Sequence, residues 1–367
     1  MSAPSTQAAP KTPAGAGTTT TRSYADSSRP LALRLLLTRD AAVLGLLAAV
    51  VAYALVMVPN FDSQLTIYFL VLDIAPILLI ALPMTLVIVT GEIDLSVASI
   101  VAVTSVLFGV LTREGAPIAL AAVLAVVAGA LAGAVNGLLV TRLGLPSLAV
   151  TIGTLALYRG VAVGLLGTTA ITDWPETWTD AVTATFGESQ IPVIVVPLAV
   201  AAVLFGLLLH FTSFGRGLFA IGLSSESARF SGVDVERTKL LAFVLTGLVS
   251  GIAGVYFTLR YGSSRGDNAT GMELQVIAAV LLGGVSIFGG RGAIPGVLGG
   301  VLLIGVIGSA LRLDGQSANV IQIVTGVLLV ASVVSAALLG WLSRRVRRRP
   351  PTAAEAAPPA VPTAGGM

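Results

Sequence analysis

Asp73, Glu92, Asp94, Asn136 and Arg159 are polar residues set inside or beside long apolar runs. Ionisable groups at membrane depth are costly, so each marks a solute pathway, a relay or an internal ion pair. Hydrogen-bonding side chains there can pass a neutral polar solute without trapping it. Acidic groups gathered at a helix break can instead hold a coupling ion. Glu92 and Asp94 share such a break, GEID at 91–94. Asp94 has two readings: a cap for a helix running from Leu95, with Ser96 satisfying freed backbone, or a pathway group. Arg159, next to Tyr158, also has two: partner to an acid or a helix C-terminus, or pathway group.

Other chemistry is excluded by composition. There is no cysteine and one histidine, His210. Disulfides, cysteine-held zinc, iron–sulfur clusters and thiol nucleophiles are therefore out, and a histidine metal site or triad is not expected. No nucleophile, base and orienting group recur together, so the chain does not read as an enzyme. LLGGVSIFGGRG is glycine-rich but has no lysine, and neither Lys11 nor Lys239 follows a phosphate-binding loop. The glycines at 283, 284, 289, 290, 292, 296, 299 and 300 read as close-packing surfaces, with a contact between two copies of the chain as one use.

A second kind of chemistry lies in AIGLSSESARFSGVD at 220–234, a polar stretch between apolar runs. Ser224 suits an N-cap, Glu226 suits the first turn, and Gly232 suits the stop. The pattern predicts a short helix of about two turns. Such a helix either merely joins two spans or docks a partner.

The elements that must position these groups are membrane helices. Of all residues 55% are hydrophobic and 11% charged, with mean hydropathy +0.95; soluble domains carry about 25% charge. About ten apolar segments follow, near 41–58, 65–90, 95–111, 117–140, 148–167, 192–211, 239–259, 275–288, 294–311 and 319–342. The segment at 275–288 is short, and 65–111 or 261–290 could contain a re-entrant piece. With the N-terminus inside, the outer side receives only Arg113, Arg260, Arg265 and Arg312, while the cluster Arg344–Arg349 and the other loop arginines fall inside. The outer loop 168–191 holds Asp173, Glu176, Asp180 and Glu188 without lysine or arginine, and its Trp174 and Trp178 suit a membrane interface. The expectation is an all-α integral membrane protein of about ten transmembrane helices with both termini cytoplasmic. It comprises a disordered tail at 1–38, a transmembrane domain at 39–343 and a basic, then Pro/Ala-rich tail at 344–367.

Four blocks, in order, resemble permease subunits of the ABC importers of the ribose/rhamnose type. They are GEIDLSVASI at 91–100, PSLAVTIGTLALYRG at 146–160, TSFGRGLFAIGLSSESARFSGVDVERTKLLAF at 212–243 and GMELQVIAAVLLGGVSIFGGRGAIPGVLGG at 271–300. The resemblance covers roughly 65–340. Pro83 and Ala98 stand where the family usually has glycine, which puts local helix geometry in question.

The resemblance implies a translocation path for a monosaccharide through a bacterial cell membrane. Two copies, or two related permeases, would pair in the lipid. A separate ABC ATPase would bind ATP and magnesium, and an extracytoplasmic sugar-binding protein would deliver the cargo. No cofactor or nucleic acid is implied for this chain. By the same resemblance the inner helix is the coupling helix, with Ser224, Glu226, Ser227, Arg229, Phe230 and Gly232 meeting the ATPase. Rhamnose is the favoured sugar, with ribose, an autoinducer sugar or a branched-chain amino acid as rivals. A secondary transporter using Asp73, Glu92 and Asp94 is the reading from outside the class.

Overall fold

The computed structural model describes residues 39–347, with side chains described as far as Val334. The expectations for 1–38 and 348–367 lie outside the described residues. The described chain is all helical apart from turns and two isolated bridges, Ile171 with Ser264 and Thr185 with Pro192. In order the helices are α1 (Arg39–Met57), α2 (Gln64–Val89), α3 (Val97–Arg113), α4 (Ile118–Thr141), α5 (Ser147–Leu166) and α6 (Glu176–Thr183). Then come α7 (Val195–Phe211), α8 (Ser213–Leu223), α9 (Ser225–Phe230), α10 (Val235–Tyr261), α11 (Met272–Leu282), α12 (Ile294–Leu313) and α13 (Ala318–Arg347). Each expected apolar segment contains one of these helices. α2, α4, α5, α10 and α12 are long and apolar enough to cross a membrane, and α7 with α8 forms a pair bent by 65° that can count as a sixth span.

α2 is the centre of the bundle. From Ile74 to Val89 every residue but Leu78 is buried, against α7, α10, α11 and α12. Its two prolines, Pro76 and Pro83, leave the helix unbroken. A proline removes one donor and crowds the preceding turn, and packed neighbours on all sides hold the turns in place. Pro83 thus fits where a glycine was expected. Ala98 is fully buried in the first turn of α3, where a small side chain suffices.

α4 and α10 make the most extensive helix pair. Gly129, Gly133 and Gly137 recur every fourth residue on α4 and meet Gly247, Gly251 and Phe243 of α10. A methyl group at Gly129 would come within 2.9 Å of Gly251 Cα, and at Gly133 within 3.0 Å of Gly247 Cα. With lipid as apolar as any side chain, close backbone approach supplies much of the attraction between helices.

The glycines of 283–300 also pack within the chain. Gly283 and Gly300 lie where α11 crosses α12, and Gly299 meets Val43 and Leu44 of α1. These close contacts are intramolecular.

Two local expectations change. Trp174 is buried and stacks on Phe108 with ring centroids 4.7 Å apart, while Trp178 stays exposed. The segment 168–191 also carries α6, whose first turn holds Glu176. α13 runs to Arg347.

Candidate functional site

The polar residues divide between the two ends of the bundle. Lys239 and Arg260 lie on one helix, α10, about 30 Å apart at roughly 1.5 Å per residue, and each belongs to a different cluster.

At the first end the 90–96 break joins α2 to α3. Glu92 Oε1 accepts from Lys239 Nζ at 2.5 Å, and both side chains are less than a fifth exposed. The next residue is held by α5 on both sides of its peptide: Ile93 N donates to Ser147 Oγ at 3.2 Å, and Thr151 Oγ1 donates to Ile93 O at 3.2 Å. Asp94 is fully buried, and its Oδ1 accepts from Ser96 N at 2.9 Å and from Ser96 Oγ at 2.6 Å. Asn136 of α4, also buried, donates its Nδ2 to Ser96 Oγ at 2.7 Å. Asp94 therefore closes a turn before the helix. α3 starts at Val97 with Ser96 at the N-cap position, two residues later than a cap by Asp94 would place it. Asp94 Oδ2 and Asn136 Oδ1 have no partner among the described residues.

The break is thus fixed to α4, α5 and α10 at once. Beside it is a cleft of about 370 Å³, lined among others by Glu92, Lys239, Ser225, Arg229 and Glu236. This cleft brings Glu92 to the residues expected to couple, which spacing along the chain does not reveal.

α9 forms as its sequence requires. Ser224 is the N-cap and accepts from Ser227 N at 3.2 Å, with Glu226 in the first turn. Gly232 follows the helix with φ +84°, a conformation that costs glycine little. Val233 N reaches back to Ala228 O at 3.0 Å and Gly232 N to Arg229 O at 3.1 Å, closing the end. Buried Ala228 packs on Ile221 and Val235 and seats the helix. Ser224, Glu226, Ser227, Arg229 and Phe230 are exposed, and Phe230 is 86% exposed. Arg229 Nη2 lies 3.5 Å from Glu236 Oε1.

α8 is the element that the sequence reading missed. Thr212 caps it, accepting from Gly215 N at 3.1 Å, and buried Leu218 and Ile221 seat it. The signal was present in TSFG followed by apolar residues, but the glycines hid it. They are needed where they stand. A methyl group at Gly222 would overlap Val89 O of α2 and the backbone of Gly290. Gly290 N itself donates to Val89 O at 2.8 Å. α8 therefore presses directly on Val89 at the end of α2, next to the break, and α9 follows α8 in the chain.

At the opposite end Asp73 holds three donors. Arg312 Nη2 lies at 3.0 Å from Oδ2, while Tyr261 Oη at 3.3 Å and Arg260 Nη2 at 3.5 Å approach Oδ1. Arg260 also lies over the Phe69 ring, 5.6 Å from its centroid. Beside them opens a cavity of about 670 Å³, lined by Asn60, Ser63, Thr66, Phe69, Asp73, Ser309 and Arg312 among others. Hydroxyls, a carboxylate, a guanidinium and an aromatic face are groups that can bind a small polyol.

Arg159 is held by backbone carbonyls. Its Nη1 donates to Gly266 O at 2.9 Å and Asn268 O at 2.7 Å, which fixes the 263–271 segment to α5. In that segment Arg265 grips Asp267 with two bonds, at 2.9 and 3.1 Å, and holds its carboxyl below the usual carboxylate range.

Asp73 is paired with arginines, Glu92 with a lysine at the other end, and Asp94 with Ser96. No group of three acidic or histidine side chains that could hold a metal ion occurs among the described residues. The convergent acidic site required for ion coupling through Asp73, Glu92 and Asp94 is therefore not formed.

Residues 65–333 match the family described as branched-chain amino acid transport system / permease component. Among similar proteins, the autoinducer 2 import system permease protein LsrD of Yersinia enterocolitica is 35% identical over 280 residues, 73% of this chain and 84% of the relative. That of Yersinia pseudotuberculosis is 36% identical over 284 residues, 74% of this chain and 85% of the relative. No solved structure matches the chain.

Proposed function

The chain belongs to the family of branched-chain amino acid transport system permease components, and from that premise we propose that it is a membrane-spanning subunit of an ATP-driven importer for a small sugar. The observation that carries the reading is the capped, exposed α9, continuous with an α8 that abuts the end of α2. A connector has no need of exposed ends locked onto the central helix. A docking helix does, because force applied at Phe230 and Arg229 must reach the spans.

In this reading an ATPase chain binds α9 from the cytoplasm. A push there moves α8, and the Gly222–Val89 contact passes the movement to α2. The 90–96 break follows, because Glu92, Ile93 and Asp94 tie it to α10, α5 and, through Ser96, α4. Asp73, Phe69 and Arg312 at the other end meet the solute first, as a binding protein releases it. Asp94 and Asn136 set the geometry of the break, and Arg159 fixes an outer segment. The five long spans and the bent pair are taken together with the four shorter apolar helices as ten crossings, and both termini are placed in the cytoplasm by the distribution of basic residues. A second permease, identical or related, completes the path in a multi-pass cell-membrane assembly.

The cargo we propose is an autoinducer 2-type sugar ahead of rhamnose, because the named relatives import autoinducer 2. The test is recovery of the tagged chain from its native membranes, with partners identified by mass spectrometry, and uptake of labelled autoinducer 2, rhamnose and ribose. We expect a co-purified chain with nucleotide-binding motifs, and uptake abolished by vanadate and insensitive to ionophores. A chain recovered alone, with uptake that ionophores abolish, overturns the proposal. Uptake of rhamnose without autoinducer 2 overturns the cargo assignment only.

A further inference from the structure

The turn between α11 and α12, residues 283–293, leaves an aromatic side chain uncovered. Phe288 is 75% exposed. The other large exposed apolar residues of the spans lie on helix faces that lipid can cover. Phe288 stands instead in a turn, SIFGGRG, followed by exposed Arg291.

That turn is built and not loose. Ser286 N donates to Arg291 O at 2.9 Å, Gly289 N to Ser286 O at 2.9 Å, and Gly290 N to Val89 O at 2.8 Å. Gly289 and Gly290 hold φ of +80° and +72°, the left-handed region in which glycine is unstrained. The turn also abuts the end of α8. A methyl group at Gly289 would come within 3.0 Å of Gly222 Cα, and one at Gly290 within 3.1 Å of Leu223 Cγ. Leu223, 74% exposed, leads directly into α9 and Phe230. Three large exposed apolar side chains, Phe288, Leu223 and Phe230, therefore belong to touching or consecutive segments at one end of the bundle, beside exposed Arg229 and Arg291.

We propose that the 286–292 turn is a second docking element for the ATPase subunit, with Phe288 as its apolar anchor and Arg291 as its charged rim. The inference rests on the reading of α9 as the docking helix, and continuity with α9 assigns the occupant. A few large apolar side chains ringed by arginines match the composition of protein interfaces. The partner surface that fits is an apolar pocket with acidic residues at its edge.

The chain has no cysteine, so single cysteines report cleanly. Phe288→Cys, Phe230→Cys and, at the opposite end, Thr177→Cys would be placed in the full importer in native membranes. Each would be treated with a maleimide–benzophenone crosslinker, and the adducts identified by mass spectrometry. The expected result is that 288 and 230 both crosslink to one and the same chain carrying a nucleotide-binding motif, and that 177 does not. Adducts from 230 with none from 288, or adducts of 288 with lipid or a second copy only, overturn this inference and leave the importer reading standing. No ATPase adduct from either position overturns both. Phe288→Ser should also lower the ATPase retained on washed membranes about tenfold, as loss of an aromatic anchor does, and Phe288→Leu should restore most of it. Full retention by Phe288→Ser refutes the anchor.

Discussion

Breaking the Glu92–Lys239 pair should destabilise the protein and uncouple it, and restoring the pair in reverse should recover stability. The two groups lie 2.5 Å apart with side chains 18% and 15% exposed. At an effective dielectric of about 20, charges this close attract by roughly 7 kcal/mol before loss of hydration is counted. Desolvation costs several kcal/mol for each ion, so the net worth of the pair is small. Removing one partner is different, because the other stays buried and uncompensated; that costs about 3–5 kcal/mol at full burial. With about a sixth of each side chain still exposed, we expect about 2–3 kcal/mol for Glu92→Gln or Lys239→Met, after discounting for solvent screening. The assay is unfolding of the purified chain by SDS titration in mixed micelles. The double variant Glu92→Gln/Lys239→Met should lie within about 1 kcal/mol of wild type, since no lone charge remains. The exchanged variant Glu92→Lys/Lys239→Glu should be more stable than the forms with one charge left. If either single variant unfolds within about 0.5 kcal/mol of wild type, or the double variant is no better than the singles, the break is not held by this pair. In that event the route from α9 to the break must run through Val89 and Gly222 alone.

Two further outcomes test the frame around the site. Gly133→Leu should cost about 1–3 kcal/mol in the same assay, because its side chain must enter the backbone contact with Phe243 and Gly247, whereas Gly160→Ala, inside α5 with nothing within 4 Å, should be no less stable than wild type. Ser224→Ala should cost about 1 kcal/mol of local helix stability, read as faster hydrogen exchange at 225–230 with global unfolding unchanged; exchange equal to wild type would show that the cap does not hold α9.

Composition and run length were enough to show a helical membrane protein, because the bilayer leaves few ways to satisfy a buried backbone. The cap at Ser224, the first-turn Glu226 and the stop at Gly232 were legible because capping is local: each depends on residues within one turn. α8 and α6 were not legible, since glycines mask the one and few apolar residues mark the other. α3 starts two residues late because Ser96 donates both its N and its Oγ to Asp94, closing a turn ahead of the helix, while Asn136 of α4 holds the Ser96 hydroxyl.

The sequence alone determined which residues are too polar for lipid, and hence which must be paired or used. It could not determine the pairing. Asp73 was grouped with Glu92 and Asp94 as an acid in an apolar stretch, yet its partners Arg260 and Arg312 come from the far ends of α10 and α12. Glu92 finds Lys239 well over a hundred residues away and joins α9 across a shared cleft. Arg159 holds backbone carbonyls, which carry no sequence signature at all. These contacts follow from how α2, α4 and α10 cross, and the crossings depend on glycines whose effect exists only when another backbone is there to meet them. The exposed ring of Phe288 is the same kind of fact. In the sequence it is one apolar residue among many, and only the folded turn places it beside Leu223 at the end that carries α9.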